Sequence, residues 1–209
     1  MGVRVQVPLW TLRKENYMDK WLYEKFSDWF HGGTIYFYSD PHFSDEEMKY
    51  LRKDYIGDEE QIKRINSRVG KKDTLVILGD VGDKEWVRKL KGYKVLIMGN
   101  HDAGATTYKP YFNEVYEGAL FISPKIVLSH EPIEYPYALN IHGHDHSHWE
   151  CQDDLHWNMC AEHINYSPIS IQEIVKSGRL KGIPDIHRAT VDRATERKEK
   201  RNGKDLADF

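Results

Sequence analysis

The sequence predicts an α/β fold in which short parallel strands alternate with helices. Two apolar, β-rich runs at residues 74–78 and 94–98 have the length and composition of strands buried on both faces. Between them, residues 84–92 place Trp86, Val87 and Leu90 at helical spacing and end in a glycine that is typical of a helix stop. Strand, helix and strand with short links form a βαβ unit, so the two strands are expected to be parallel neighbours.

The other elements are predicted from local patterns along the chain. Residues 34–39 are β-branched and aromatic, which favours a strand, and Pro41 ends it. The stretch from Ser44 to Glu47 has the form of a capping box and predicts the start of a helix. The later predicted elements are a helix with Ile62, Ile65 and Val69 on one face, a hairpin of strands at 119–122 and 125–129, strands at 139–142 and 155–159, and a helix at 170–177.

Both ends of the chain differ from this central region, residues 34–182. Residues 1–33 are predicted to form a helical extension, because Met18, Leu22, Phe26 and Trp29 recur on one helical face. That face either packs on the flank of the domain or forms a surface for a homodimer or another partner. Residues 183–209 carry alternating charges with few apolar residues, which predicts a solvated helix or a disordered tail.

Composition limits the class of protein without fixing its partners. The chain has 209 residues, enough for one domain with extensions, and a net charge of -3, which neither favours nor excludes a polyanionic partner. No run is long and apolar enough for a transmembrane helix, and the first residues lack the apolar core of a secretion signal. Cys151 and Cys160 have no second pair, so we expect a reduced, cytoplasmic protein without membrane attachment.

Polar side chains follow five of the predicted strands, at the point where each strand ends. Each of them alone would be interpreted as a turn or cap residue. Together they form a set of carboxylates, amides and imidazoles without a thiolate, which suits Mn²⁺, Fe or Zn²⁺ and disfavours a structural zinc–thiolate site. The set comprises Asp40 with His42, Asp80, Asn100 with His101, His130, and His144 with His146.

In this order the motifs D-x-H, G-D-x-x-D, G-N-H-D, a strand-ending His and G-H-x-H, from Asp40 to His146, resemble the calcineurin-like metallophosphoesterase family, in particular its small stand-alone branch. The resemblance implies a four-layer α-β-β-α sandwich of two mixed sheets, with two divalent metal ions at the carboxyl edges of the strands. Mn²⁺ is the expected ion, with Fe, Zn²⁺ or Ni²⁺ as alternatives. By the same resemblance residues 34–182 form the catalytic domain, and the ligands fall into two groups. Asp40, His42 and His146 would hold one metal, Asn100, His130 and His144 the other, and Asp80 would bridge them.

The expected chemistry is hydrolysis of a phosphate ester by a hydroxide held between two cations. His101 would lie beside the phosphate and donate a proton to the leaving oxygen, with Asp102 or Asp45 as candidates to orient it. Lys84 and Asp102 replace the Arg and Glu of phosphoprotein phosphatases, which argues against a protein substrate.

We therefore predict a phosphodiesterase for a small or nucleotide-type substrate. The alternatives are a nuclease, with nucleic acid as substrate only, a phosphomonoesterase, or a non-catalytic metal-binding scaffold for a protein partner.

Several polar residues near the motifs are predicted to stay outside the metal centre. His142 and His148 share the alternation of the G-H-x-H residues, but a tight turn at Gly143 is expected to break that parity. Asp83 is expected to position the Asp80 loop or to cap the following helix. The roles of His156 and His163 stay open, with a position near the substrate cleft as one alternative.

Overall fold

The computed structural model describes residues 22–30, 32–52, 54–146, 153–186, 189–190 and 193–198. It contains two mixed β-sheets with flanking helices, which confirms the predicted fold class. The strands are β1 (Ile35–Tyr38), β2 (Thr74–Ile77), β3 (Tyr93–Ile97), β4 (Glu114–Tyr116), β5 (Leu120–Ser123), β6 (Ile126–Leu128), β7 (Leu139–His142), β8 (His156–Asn158) and β9 (Ile169–Ser170). The helices are α1 (Met48–Leu51), α2 (Asp58–Arg68), α3 (Ala105–Tyr108), α4 (Ile171–Lys176) and α5 (Arg179–Gly182), with 3₁₀ helices at Glu24–Phe30 and Lys84–Lys89.

The first sheet has the order β4-β3-β2-β1-β9. Strands β1 to β4 run parallel, and β9 closes the edge in the antiparallel direction. The predicted parallel pairing of residues 74–78 with 94–98 is confirmed, with Val76 opposite Val95. The carboxyl ends of β1, β2 and β3 therefore lie side by side at one edge, together with the polar residues that follow them.

The second sheet has the order β5-β6-β7-β8. Strands β5 and β6 form the predicted antiparallel hairpin, while β6, β7 and β8 run parallel. An isolated bridge between Ser39 and Cys160 joins the end of β1 to the segment after β8. This bridge brings the ends of strands from both sheets into contact, so residues after β6 and β7 can meet those after β1, β2 and β3.

The alternation of side chains along β2 divides the core into two clusters. Val76 and Leu78 face the space between the sheets, where they meet Ile126 and Ile141 of the second sheet. Leu75 and Ile77 face the other side of the first sheet, which is covered by apolar side chains of α2 such as Ile65. Because both faces are buried, the strand is apolar throughout, as the sequence indicated.

Two of the predicted helix starts differ in the structure. The segment Lys84–Lys89 is a 3₁₀ helix rather than an α-helix, and Asp83 caps it by accepting the Glu85 N–H, one of the two roles expected of Asp83. The predicted capping box at Ser44 is wrong, because α1 begins only at Met48 and no side chain caps it. A capping box does form at α4, where Ser170 and Glu173 bond to each other's backbone N–H groups.

The described part of the N-terminal segment packs against the two sheets. Phe26 and Trp29 are almost fully buried in the core between the sheets. The Trp29 indole donates to Glu114 of β4 at 3.0 Å, and the Tyr23 N–H donates to the Ile122 carbonyl of β5 at 2.8 Å. Both sheets are thus tied to this segment. Residue Met18 of the predicted face lies outside the described residues, and a homodimer through residues 1–33 stays a prediction.

The chain after α5 begins inside the core. Ile183, the first residue of the predicted tail, is 3 % exposed, and its carbonyl accepts a hydrogen bond from the Lys125 amine at 2.8 Å. Farther on, exposed Arg193 contacts the Tyr137 hydroxyl at 3.2 Å. Within the described residues, no helix combines the length and apolar composition needed to cross a bilayer.

Candidate metal centre

The structure brings all seven predicted metal ligands into one cleft at the joined strand ends. Asp40 and His42 follow β1, Asp80 follows β2, and Asn100 follows β3. His130 follows β6 of the second sheet, while His144 and His146 follow β7. The contacts among these side chains divide them into two groups that share Asp80.

The first group consists of Asp40, His42 and His146. His146 Nε2 lies 3.3 Å from Asp40 Oδ1, and His42 Nε2 lies 3.9 Å from the same oxygen. His42 Nε2 is also 3.5 Å from Asp80 Oδ2. One carboxylate oxygen and two imidazole nitrogens therefore converge, next to an oxygen of Asp80.

The second group consists of Asn100, His130 and His144. His130 Nε2 lies 2.8 Å from Asn100 Oδ1 and 3.2 Å from His144 Nδ1. The distance from His144 Nδ1 to Asn100 Oδ1 is 3.1 Å. His130 Nε2 is 3.4 Å from Asp80 Oδ2, the same oxygen that contacts His42 of the first group. Asp80 thus lies between the two groups, as a bridging carboxylate would.

Hydrogen bonding to Asp40 indicates which atoms of the first group are available to a cation. Asp40 Oδ2 accepts from Ser39 Oγ, from the His144 N–H at 3.0 Å and from Cys160 Sγ at 3.2 Å. Asp40 Oδ1 and His42 Nε2 are buried but have no hydrogen-bond partner among the described residues. Buried polar atoms without partners are rare, and two that face the same point fit a metal site. The residues present therefore suit a divalent cation.

Burial and mutual contact shift the pKa values of these groups. Burial raises the pKa of the Asp40 carboxyl, but the nearby His146 ring, 3.3 Å from Oδ1, outweighs it by attraction and holds that pKa well below its usual range. Burial lowers the pKa of His146, yet its carboxylate partners Asp40 and Glu162 raise it to about 9. Burial is also the main cause of the lowered pKa of His42. At neutral pH a proton therefore competes with a metal ion for the His146 ring.

The backbone at the centre adopts an unusual conformation. Four of the seven candidate ligands have left-handed backbone angles, with φ of 53° at Asp40, 44° at His42, 51° at Asp80 and 71° at His144. Non-glycine residues rarely adopt this region, and their concentration at one place is typical of functional sites. A Cβ atom on Gly143 would collide with the Ser39 and Asp40 side chains, so only glycine allows His144 to follow β7 so closely.

Asp102 holds two of the strand ends together. Its Oδ2 accepts the N–H groups of Gly99 at 2.8 Å and Asp80 at 3.1 Å, and its Oδ1 accepts the Val81 N–H at 2.9 Å. A Cβ atom on Gly99 would overlap the Asp80 carboxylate, so the loops after β2 and β3 approach as closely as a glycine permits. The carboxylate of Asp102 therefore fixes the position of Asp80.

His101, the predicted proton donor, lies at the exposed side of the centre. Its backbone N–H donates to Asp80 Oδ1 at 3.0 Å, and its ring centroid is 6.0 Å from that of His42. Neither candidate for orienting it does so: Asp102 accepts the backbone bonds above, and Asp45 contacts His42 Nδ1 at 3.2 Å. The side chain of His101 is therefore set by its place beside Asp80 rather than by a carboxylate partner among the described residues.

Two residues that sequence reasoning missed adjoin the centre. Glu162 Oε1 lies 2.7 Å from His146 Nδ1, and buried Arg52 lies beside both of them. Neither Glu162 nor Arg52 belongs to one of the sequence motifs, and neither directly follows one of the five strands whose ends were predicted to carry metal ligands. The sequence pattern gave no role to Cys160, and the contact of its buried thiol with Asp40 was missed in the same way.

The remaining histidines near the motifs bond elsewhere. His142, His156 and His163 contact the Gly143 carbonyl, the Asp153 carboxylate and the Asp145 carbonyl, respectively. His142 is thus outside the two ligand groups, as predicted, while His148 and Cys151 lie outside the described residues.

A cavity of about 350 Å³ opens beside Asn100 and His130. The exposed carboxylates of Glu117 and Glu131 contribute to its wall, and none of the described residues that line it is Lys or Arg. The apolar part of the wall includes Met98, Pro132 and Ile133.

Two mixed sheets that gather carboxylate, amide and imidazole side chains at their strand ends are typical of metal-dependent phosphoesterases. The sequence profile of the calcineurin-like phosphoesterases matches residues 33–197, so the chain belongs to the calcineurin-like phosphoesterase family. Members of this family use divalent metal ions. Two sets of donor atoms among the described residues lie close enough together to hold such an ion: Asp40 with His146 and Cys160, and Asp40 with Asp80 and His130.

The comparisons relate the chain to individual proteins by sequence or by structure. An uncharacterised protein of Methanocaldococcus jannaschii is 31% identical over 166 residues, which cover 68% of this chain and 89% of the relative. The crystal structure of an Aquifex aeolicus protein of unknown function has 31% identity and a TM-score of 0.59, covering 68% of this chain and 98% of that one. The nuclease MPE of Pseudomonas putida is 23% identical with a TM-score of 0.40, covering 53% of this chain and 60% of the nuclease.

Proposed function

We propose that this protein is a phosphodiesterase that hydrolyses a small or nucleotide-type substrate with two divalent metal ions. The observation that carries the proposal is the position of Asp80, whose Oδ2 lies 3.5 Å from His42 Nε2 of one ligand group and 3.4 Å from His130 Nε2 of the other. A shared carboxylate between two sets of nitrogen and oxygen donors is what a pair of adjacent cations needs.

In this proposal Asp40, His42 and His146 would hold one cation, Asn100, His130 and His144 would hold the other, and Asp80 would be shared between them. Mn²⁺ is the preferred ion, and Fe, Zn²⁺ or Ni²⁺ would suit the same nitrogen and oxygen donors. When bound, the two ions would neutralise phosphoryl charge and lower the pKa of the attacking water, which makes a nucleophile available near neutral pH.

The protein's own groups perform the remaining tasks. Asp102 holds the Asp80 loop through three backbone N–H groups, which keeps the shared carboxylate in place when a substrate approaches. His101, exposed beside that loop, donates a proton to the leaving oxygen. Its backbone N–H, bonded to Asp80 Oδ1, ties the proton donor to the centre of the metal site.

The cavity beside Asn100 and His130 supports a small substrate over a polynucleotide strand. Its volume of about 350 Å³ suits one organic substituent of a phosphodiester. The carboxylates of Glu117 and Glu131 would repel a chain of further phosphates, and they would accept hydrogen bonds from hydroxyl or amino groups.

The direct test is a screen of the purified full chain, after metal removal and reloading with each candidate ion. Initial rates are compared on bis-p-nitrophenyl phosphate, p-nitrophenyl phosphate and single-stranded nucleic acid. We expect the highest kcat/KM on the diester, with Mn²⁺. Faster cleavage of the monoester or of nucleic acid would replace the phosphodiesterase by the corresponding alternative, and metal binding without turnover on any substrate would leave a binding scaffold.

A further inference from the structure

A buried chain of charged groups runs behind His146. Arg52, at the end of α1, is 3 % exposed, and its Nη2 lies 3.4 Å from His146 Nδ1. Glu162, in the segment after β8, lies between Arg52 and His146 and contacts both with its carboxylate. Its Oε1 is 2.7 Å from His146 Nδ1, and its Oε2 is 3.1 Å from Arg52 Nε, an ion pair without hydrogen-bond geometry.

Arg52 alone would direct His146 into a form that cannot bind metal through Nε2. A guanidinium group only donates hydrogen bonds, so it favours a lone pair on the nearby Nδ1. The ring proton of a neutral imidazole would then sit on Nε2, where Asp40 Oδ1 at 3.3 Å would accept it. In that tautomer Nδ1 would accept from Arg52 and Nε2 would donate to Asp40. Nε2, which faces the other ligands, would then have no lone pair for a metal ion.

We propose that Glu162 is a positioning residue that overrides Arg52 and fixes the metal-binding tautomer of His146. Its carboxylate can only accept, so at 2.7 Å it keeps the proton on Nδ1 and leaves the Nε2 lone pair for a cation. The inference rests on the proposed function only in taking His146 Nε2 as a ligand, and it adds a residue that no strand-end motif contains.

Arg52 connects the surroundings of the two candidate ligands Asp40 and His146. Besides pairing with Glu162, its Nη2 donates to the Asp40 carbonyl at 2.6 Å, at a residue whose backbone is left-handed. The guanidinium thus anchors the carboxylate that orients His146 and the backbone that presents Asp40. Removing Glu162 would leave the guanidinium of Arg52 as the neighbour of His146 Nδ1, so the loss of Glu162 should matter less in a protein that also lacks Arg52.

The test is isothermal titration of the metal-free full chain with Zn²⁺, for the wild type, Glu162→Ala, Glu162→Gln, Arg52→Met and Arg52→Met/Glu162→Ala. We expect each Glu162 single variant to lose about 10–100-fold in affinity at one site and nothing at the other. The Gln variant keeps the volume, but its amide NH₂ must face either Arg52 or His146 Nδ1, so it should lose affinity too. Removing Glu162 should cost less affinity in the Arg52→Met background than in the wild type, which a purely structural role of Glu162 would not produce.

Proton competition and folding are controlled separately. Titrations repeated from neutral to mildly alkaline pH separate competition by protons from the loss of affinity, and the comparison is made at the alkaline end. Glu60→Ala is the matched control, because Glu60 is also paired with basic side chains but on the surface of α2, and it should change neither site.

Unchanged affinities in both Glu162 variants would overturn the inference. So would an equal loss at both sites, or a loss on removing Glu162 that is as large in the Arg52→Met background as in the wild type. If Glu162→Ala does not fold, as judged by circular dichroism of the metal-free protein, Glu162→Gln decides. These outcomes are read without phosphoesterase activity, so they leave the proposed function intact, whereas a wild-type chain that binds no Zn²⁺ would contradict the proposed function itself.

Discussion

Replacing Asp102 by Asn tests whether this carboxylate fixes the loops of the metal centre. Asp102 accepts three backbone N–H groups through two oxygens, two at Oδ2 and one at Oδ1. The single side-chain oxygen of Asn can take the place of Oδ2. Its NH₂ group then faces the Val81 N–H, and two hydrogen-bond donors cannot bond to each other. His101 has no direct bond to Asp102 in this network, so the first effect should be on stability.

The expected loss follows from these three bonds. Two of them change from charge-assisted to neutral, at about 0.5–1 kcal/mol each, and the buried Val81 N–H loses its acceptor, at about 1–3 kcal/mol. We expect a total of about 2–4 kcal/mol, because the partly exposed carboxylate is also hydrated. With a urea slope of about 2 kcal/mol per M, the unfolding midpoint should fall by about 1–2 M.

The assay is urea unfolding of the metal-free protein, followed by circular dichroism, beside the matched variant Asp83→Asn. Asp83 lies in the loop after β2 that Asp102 holds, but its side chain caps the Glu85 N–H, and Asn is an equally good cap, so that variant should be unchanged. A midpoint shift for Asp102→Asn below about 0.3 M would refute the assigned role.

Four further predictions concern the centre and the ends of the chain. Asp80→Asn removes the negative charge between the two ligand groups, so metal content by elemental analysis should drop and activity nearly vanish; two bound metals with normal hydrolysis would disprove the bridge. His101→Ala should keep its metal and lose about 10²–10⁴-fold in turnover, least for p-nitrophenolate and most for alkyl leaving groups, whereas an equal loss across a leaving-group series would exclude proton donation. Gly143→Ala should reduce metal affinity in a Zn²⁺ titration, because its Cβ would displace the Asp40 side chain; unchanged affinity would mean that the strand end can shift. Deleting residues 188–209 should leave the melting temperature and turnover unchanged, since Arg193–Tyr137 is an exposed contact, and a large loss of either would show that the tail is structural.

The main features of the sheet and the ligand set could be predicted because they depend on local patterns. Apolar runs such as residues 74–78 indicate buried parallel strands, and parallel strands deliver the residues after them to one edge. The strand pattern alone therefore predicts that Asp80 and Asn100 are neighbours. The pairing of His130 with Asn100 across two sheets required the family resemblance, because no periodicity relates the two sheets.

The missed features depend on contacts between distant segments. Arg52 and Glu162 are separated by more than half of the chain, and each alone has the pattern of an ordinary charged residue. The role of Asp102 was misjudged because adjacency to His101 suggested a side-chain partner, whereas its partners are backbone N–H groups that any sequence would supply. Ser44 does not cap a helix, because its backbone is left-handed, with φ of 62°. Its N–H donates instead to the Asp58 carboxylate.

The left-handed backbone of the four candidate ligands makes the metal ions partners in folding as well as in chemistry. Each such residue costs about 1–2 kcal/mol relative to a relaxed conformation, and the buried atoms Asp40 Oδ1 and His42 Nε2, which have no hydrogen bond among the described residues, add to that cost. An ion present at 100 times its dissociation constant would raise the free energy of unfolding by about 2.7 kcal/mol for each site. Newly made chains without metal would therefore be the population most exposed to proteolysis, and metal supply would set how much protein accumulates as well as how fast it works.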